Sequence, residues 1–231
     1  MAAGLTAVIE AVEIASDGLH ARVEDRLVEV DGPRALWPAL SAALYEKFHI
    51  GRPNDPTVRP GTRDLAMEAA LTAGVPHRHT TTTVPVLAVE DTGWIVDLME
   101  VRVRIPADRV VSVTSTETGR QAVIRADAIR PALSPGFFLC DGSAGSVLGT
   151  GPILRLYVHL ADASFTPAAW RAALAVLEGR QVPYRAKAFS RPSGYPRRDA
   201  MVFYLEESGW PALEPLIDAL RTAEGLVDDV S

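Results

Sequence analysis

A chain of 231 residues, 48% of them hydrophobic, is long enough to bury a substantial core as a single compact domain or two intimate subdomains. Its net charge of -6 excludes general nucleic-acid binding, whose footprint is broad and basic, and no apolar run is long enough to cross a membrane. One cysteine, and a start in which Glu10 and Glu13 interrupt the apolar pattern of a secretory signal, point to a reducing cytoplasm.

Apolar spacing predicts a helix over residues 5–15, one alternating strand over 19–30 and an apolar helix over 33–48 containing Trp37. Residues 1–60 thus read as a helical amino-terminal part with one strand. Residues 51–63, rich in Pro and Gly, form a linker or loop, and a short helix follows over 64–73. Strand character runs from 84 to 113 with a turn at Asp91-Thr92-Gly93, and residues 121–139 add two shorter strands. Residues 155–159 alternate as a strand. Thr166 is then a fitting N-cap with Pro167 at the first helical position, Trp170, Leu174 and Leu177 recur at helical spacing, and Gly179 ends the helix. A strand over 183–189, a loop over 190–199, a strand over 201–205, an amphipathic helix over 211–221 and an acidic tail complete the chain. The expected class is α+β with a central, largely antiparallel sheet flanked by helices, residues 61–231 continuing the amino-terminal part in one domain.

Charge is unevenly spread along this order. Residues 151–200 hold eight Lys/Arg against Asp162, Glu178 and Asp199, a local balance of +5 that leaves -11 for the remainder. An anion is the natural guest of such a patch, because guanidinium forks donate paired, charge-assisted hydrogen bonds to phosphate or carboxylate. Strand alternation sets Arg155, Tyr157 and His159 on one face, and Arg185, Lys187 and Phe189 on one face of the next strand. Lys187 is one of only two lysines, the other being Lys47, in a chain that otherwise uses arginine. Alternation also lets only one of Arg197 and Arg198 face a site beside them, while Arg180, Arg185 and Arg191 read as rim charges. Without further information, any of these groups can be a solvated or locally paired surface charge.

The segments Leu44-Tyr45-Glu46-Lys47-Phe48-His49-Ile50-Gly51, Thr92-Gly93-Trp94, Arg155-Leu156-Tyr157-Val158-His159, Pro183-Tyr184-Arg185-Ala186-Lys187 and Tyr195-Pro196-Arg197-Arg198-Asp199-Ala200 resemble the HopA type III effector family. They are also similar to the HopA-like lyases that accompany aminoglycoside-phosphotransferase-like kinases in class V lanthipeptide and thioamitide biosynthesis. The resemblance covers most of the chain beyond about residue 40. It implies a lyase acting after such a kinase: phosphate leaves phosphoserine or phosphothreonine of a ribosomally made precursor peptide, giving dehydroalanine or dehydrobutyrine without metal or organic cofactor. Related phosphothreonine lyases use a Lys base, a His acid and Arg residues around the phosphate. Their Lys-x-His motif is taken as absent here, so roles are assigned from chemistry. Lys187 is the expected base, because neighbouring arginine and partial burial both lower a lysine pKa. His159 is the expected acid for the leaving oxygen. Arg155, Arg197 and Arg198 hold the phosphate, with Tyr157 or Tyr195 adding a hydrogen bond. Lys187 and His159 are expected to converge across adjacent strands. The alternative is a noncatalytic module that binds a phosphopeptide or leader peptide, or the kinase, through the same basic face; it tolerates arginine at 187, which elimination does not.

Other features are weaker. His77 and His79 fall on one face of a strand ahead of four threonines, so His79 is a candidate substrate contact, with an exposed loop as the plainer reading. Arg102 and Arg104 alternate on one strand and could extend the anion site or face solvent. Lys47 and His49, at the end of an apolar helix, complement its dipole. Trp94 is most simply a core anchor. The glycine tract from Gly142 to Gly151 leads into a strand, so it lacks the helix N-terminus a phosphate loop needs. No zinc motif, nucleophile elbow or cysteine pair is present, and Cys140 beside Phe137 and Phe138 reads as a buried thiol.

Overall fold

The computed structural model describes residues 2–53, 62–98, 100–131, 133–147, 151–223 and 225–226. The expected linker, the end of the glycine tract and the acidic tail lie wholly or partly outside them. The class is α+β, with strands in three antiparallel sheets in place of the one central sheet expected.

The amino-terminal part begins with helix α1 (Ala2–Glu10) and packs strands β1 (Val12–Ile14), β2 (His20–Val23) and β3 (Arg26–Glu29) against helix α2 (Pro33–Leu44). The single strand expected over 19–30 is a hairpin, because Glu24 adopts a left-handed φ of 51° and turns the chain back. Ala21, Val23 and Val28 on the sheet meet Leu36, Leu40 and Ala43 on α2 in a small core of their own. Helix α2 then widens into a π-helical segment, Tyr45–Ile50. Asp64 caps helix α3 (Leu65–Ala73) by accepting from the Met67 N–H at 2.8 Å.

The middle sheet is built from β4 (His79–Glu90), β5 (Gly93–Leu98), β6 (Val101–Ile105), β7 (Val110–Thr116) and β8 (Gly119–Asp127), in the order β6-β5-β4-β8-β7. At Gly93, φ is +152° and a Cβ would meet the Ile105 carbonyl oxygen at 2.6 Å, so the turn needs glycine. Trp94 packs beside the small core of Val84, Val96, Ala122 and Ile124, the anchoring role read from sequence.

The carboxy-terminal sheet orders β9 (Phe137–Asp141), β10 (Ile153–Leu160), β11 (Tyr184–Phe189) and β12 (Arg197–Glu206) as β10-β12-β11-β9. Helix α4 (Thr166–Gly179) covers one face together with α5 (Leu213–Arg221) and α3. Trp170, Leu174, Leu177 and Leu216 are fully buried there against Phe138, Cys140, Tyr184, Ala186, Ala188, Met201, Phe203 and Leu205. Each large apolar side chain contributes about 1.5–3 kcal/mol on burial, which makes this the dominant core. Thr166 is not the N-cap of α4: its hydroxyl donates to the Tyr195 hydroxyl at 2.8 Å, and Asp162 accepts from the Ser164 N–H instead. With helices on one face, the alternating residues of these four strands project from the other.

Candidate active site

On that opposite face, the pairing register lines residues up in rows across the strands. One row runs Asp141, Arg185, Tyr204, Arg155; the next runs Leu139, Lys187, Val202, Tyr157. Arg155, Tyr157 and Lys187 therefore do share a face, as alternation predicted, and His159 follows between buried Val158 and Leu160 beside a bulge in β12. Strand β12 lies between β10 and β11, so Lys187 and His159 are not on adjacent strands. Two strand spacings, about 9.6 Å, separate their backbones in that direction.

Lys187 makes no hydrogen bond or ion pair among the described residues. Its Nζ lies 4.2 Å from the Phe137 ring centroid and 6.0 Å from that of Tyr204. Burial lowers its pKa from the ordinary lysine value; Asp199 and Tyr157 oppose that shift, and Arg197 and Arg155 add to it. Asp199 is fully buried and accepts from Arg197 Nε at 2.6 Å. Its other oxygen makes no hydrogen bond but lies 3.6 Å from His49 Nε2. Arg197 is itself buried, its guanidinium 3.7 Å from the Phe189 ring centroid.

His49, which sequence reasoning had left as a dipole complement, is an imidazole on which Lys187 acts electrostatically. It arrives from the π-helical segment. A turn with i→i+5 bonds holds more residues than an α turn, so Tyr45 and His49, four apart, come nearly over one another, with ring centroids 4.8 Å apart at 23°. The edge of the pair meets Tyr157, with His49 and Tyr157 centroids 5.1 Å apart at 85°. Burial lowers the His49 pKa below the ordinary histidine value; Asp199 pulls it back up, and Lys187 and Arg197 push it further down. A sequence signal was present: Lys47-Phe48-His49 is a Lys-x-His sequence, so the expectation that the chain lacks that motif is wrong. Lys47 itself is half-exposed and paired with Glu24.

Several expected site residues are used otherwise. The Tyr195 hydroxyl donates to the Phe189 carbonyl at 2.8 Å and accepts from Thr166, and burial pushes its pKa up to about 12, so its one donor is committed to holding the loop. Arg198 turns toward the amino-terminal part, packing beneath Gly51 and donating to the Phe48 carbonyl at 3.4 Å. Gly51, at φ 81°, leaves room for it: a Cβ would stand 3.2 Å from the arginine side chain. His79, Arg102 and Arg104 belong to the middle sheet and are not brought to Lys187; Arg104 pairs with Glu90 at 2.8 Å and donates to Thr92. His77 is half-buried, Nε2 donating to the Asp141 carbonyl at 2.8 Å. Arg185 is not a rim charge: with Arg130 and Ser146 it clamps the buried Asp141. Cys140 is buried, as expected, and burial raises its thiol pKa.

Among the described residues no cluster of His, Cys, Asp or Glu could hold a metal ion, and no helix is long and apolar enough to cross a membrane. No curated protein matches the chain. Residues 128–231, from the start of the segment that leads into β9 through α5, match the model described as the HopA1 effector protein family. The similarity to that family thus falls on the carboxy-terminal sheet, β9 to β12, and on helices α4 and α5, and spans just under half of the chain.

Proposed function

We propose that this protein is a lyase that eliminates phosphate from phosphoserine or phosphothreonine in a ribosomally synthesised precursor peptide. An aminoglycoside-phosphotransferase-like kinase supplies the phosphoresidue, and the product is dehydroalanine or dehydrobutyrine. One observation carries this reading: a half-buried lysine amine with no ion pair or hydrogen bond among the described residues, set against the Phe137 ring, sits within the electrostatic reach of an imidazole, a buried carboxylate and two guanidinium groups. A merely structural lysine is expected to have a partner.

Elimination requires a base for the α-proton, charge stabilisation on the peptide carbonyl, and an acid for the departing phosphate. Neutral Lys187 takes the α-proton; the electron pair forms the Cα–Cβ double bond and the Cβ–O bond breaks. Protonated His49 donates to the leaving phosphate oxygen. Arg197 neutralises the phosphate with guanidinium N–H groups that make no other hydrogen bond among the described residues, and Tyr157 donates a further hydrogen bond. The sequence had given the acid role to His159 and shared the phosphate among Arg155, Arg197 and Arg198. His49 stands with Lys187 and Asp199 in one electrostatic group, which favours it as the acid.

The test is to incubate the purified protein with a kinase-phosphorylated precursor peptide and follow loss of phosphoric acid by mass spectrometry. Wild type dehydrates the peptide, and Lys187→Ala and His49→Ala each lose roughly 10²- to 10⁴-fold in rate while His159→Ala stays within a few-fold. Peptide binding by wild type with no dehydrated product, kinase present, supports the noncatalytic module instead. Loss in His159→Ala with His49→Ala unaffected returns the acid role to His159.

A further inference from the structure

The two rows on this face of the carboxy-terminal sheet, Asp141-Arg185-Tyr204-Arg155 and Leu139-Lys187-Val202-Tyr157, are two residues apart along every strand, and in the second the buried apolar Leu139 and Val202 flank Lys187. That separation is about 6.6 Å, the same distance that separates side chains i and i+2 of an extended peptide. A chain lying parallel to β11 and β12 with its phosphoresidue at Lys187 therefore sets the side chain two positions away over the neighbouring row, Arg155-Tyr204-Arg185-Asp141.

That neighbouring row is cationic. Arg130 and Arg185 both converge on Asp141, at 3.2 and 2.7 Å, so one carboxylate is shared by two guanidinium groups. Arg155 is exposed, makes no ion pair or hydrogen bond among the described residues, and lies 5.6 Å from the Tyr204 ring centroid. Three cations thus face one carboxylate in a chain whose overall charge is -6. The face also stays open in this direction. One step further along the strands lie Glu206 and Pro183, which with Ser146 and the threonines Thr81–Thr83 line a cleft of about 260 Å³. The other direction is closed by the His49 and Tyr45 rings over Tyr157.

We propose that Arg155, on the platform of Tyr204 and beside Arg185, is a specificity-determining residue that selects an anionic side chain two positions from the phosphoresidue in an extended substrate peptide. The inference rests on the lyase reading for the position of the phosphoresidue. A carboxylate and a second phosphate share the required chemistry, since both accept paired guanidinium hydrogen bonds.

The experiment uses the full chain and synthetic seven-residue peptides carrying a central phosphonate isostere of phosphoserine, whose bridging carbon cannot be eliminated. Alanine fills the flanks, with glutamate or phosphoserine placed singly at each position from three before to three after. Calorimetry is expected to show about tenfold tighter binding for an anion two positions away, on one side of the phosphonate, than for the all-alanine flank. Arg155→Ala abolishes that preference, so that the variant binds the anion-bearing and all-alanine peptides equally. Equal gains from glutamate and phosphoserine mean charge alone is read; a gain from phosphoserine alone identifies a neighbouring phosphosite. No positional preference, a preference for an adjacent residue, no binding at all, or an equal loss in Arg155→Ala for every peptide overturns the proposal. A wild-type protein that binds with this preference yet never dehydrates a phosphopeptide leaves the strip standing and sinks the lyase reading.

Discussion

Two buried carboxylates at opposite ends of one sheet face have been given different surroundings. Asp141 is saturated: Arg185 reaches both its oxygens, Arg130 approaches one, and the Ser146 hydroxyl donates at 2.7 Å. Asp199, equally buried, has one strong partner in Arg197, and its second oxygen makes no hydrogen bond among the described residues, lying 3.6 Å from His49 with the Tyr45 phenol also in its electrostatic reach. A fully paired buried carboxylate fixes its donors and holds β9, β11 and the segment after β8 in register. A carboxylate with one oxygen left to an imidazole biases proton positions instead, because its charge still acts on whatever titrates nearby. The saturated end is therefore architecture, and the unsaturated end is where proton transfer is proposed.

The largest effect that tests this contrast falls on the reactive end. Lys187→Met removes the only amine there and is expected to lower dehydration by up to about 10⁴-fold, roughly 5.5 kcal/mol of barrier. The same change should raise Tm slightly. A lysine whose folded pKa lies below its unfolded value opposes folding at every pH below about 10.5, where the unfolded chain holds the proton, so an apolar side chain of similar length relieves that cost at neutral pH. Calorimetric unfolding of the inactive variant checks it; a drop in Tm of several degrees would mean the amine was stabilising the fold. The saturated end should behave in the opposite sense. Asp141→Ala leaves Arg130 and Arg185 facing one another without a carboxylate, at an expected cost of about 3–5 kcal/mol measured by urea unfolding.

That asymmetry was only partly legible in the sequence. Alternation correctly put Arg155, Tyr157 and Lys187 on a common face, because period-two geometry is local. The order of strands is not local: β12 intervenes between β10 and β11, which set His159 two strand spacings from Lys187 in that direction. His49 comes from a segment well over a hundred residues before Lys187, outside the residues that match the family, on a π-helical turn that no apolar periodicity announces. The Lys-x-His sequence was there to be read, and only its role needed the tertiary fold. Asp141 gave no signal at all, since its partners Arg130 and Arg185 lie on different segments. Of the amino-terminal elements, the helix over 33–48 was placed well, but the hairpin at Glu24 was missed because a non-glycine residue takes the left-handed turn.

A subtler test acts on Asp199 without unpairing a lysine. Its charge raises the pKa of both His49 and Lys187, so Asp199→Asn should lower both. In the proposed mechanism the acid has the lower pKa and the base the higher. The rate then rises with pH up to the His49 pKa, below 6.5, holds level while one group gains what the other loses, and falls above the Lys187 pKa. Both limbs should move toward lower pH in Asp199→Asn, read from kcat/KM across pH 5–11. Movement of only the acidic limb would show that Asp199 governs the imidazole and not the amine.

The smallest expected change lies in the loop between the two ends of β11 and β12. Tyr195→Phe removes a hydroxyl that donates to the Phe189 carbonyl and accepts from Thr166, leaving both partners short of a hydrogen bond in a largely buried setting. The cost is about 1–2 kcal/mol in unfolding, with dehydration rate within about threefold of wild type, because no donor of this residue faces Lys187. The sequence had offered Tyr195 as a phosphate ligand, and that role predicts the reverse pattern, with stability kept and the rate reduced by an order of magnitude or more. Measuring urea unfolding and peptide dehydration on the one variant therefore separates a strut from a ligand, since Phe189 is also the ring on which Arg197 rests and any slackening of the loop reaches the reactive carboxylate through that stack.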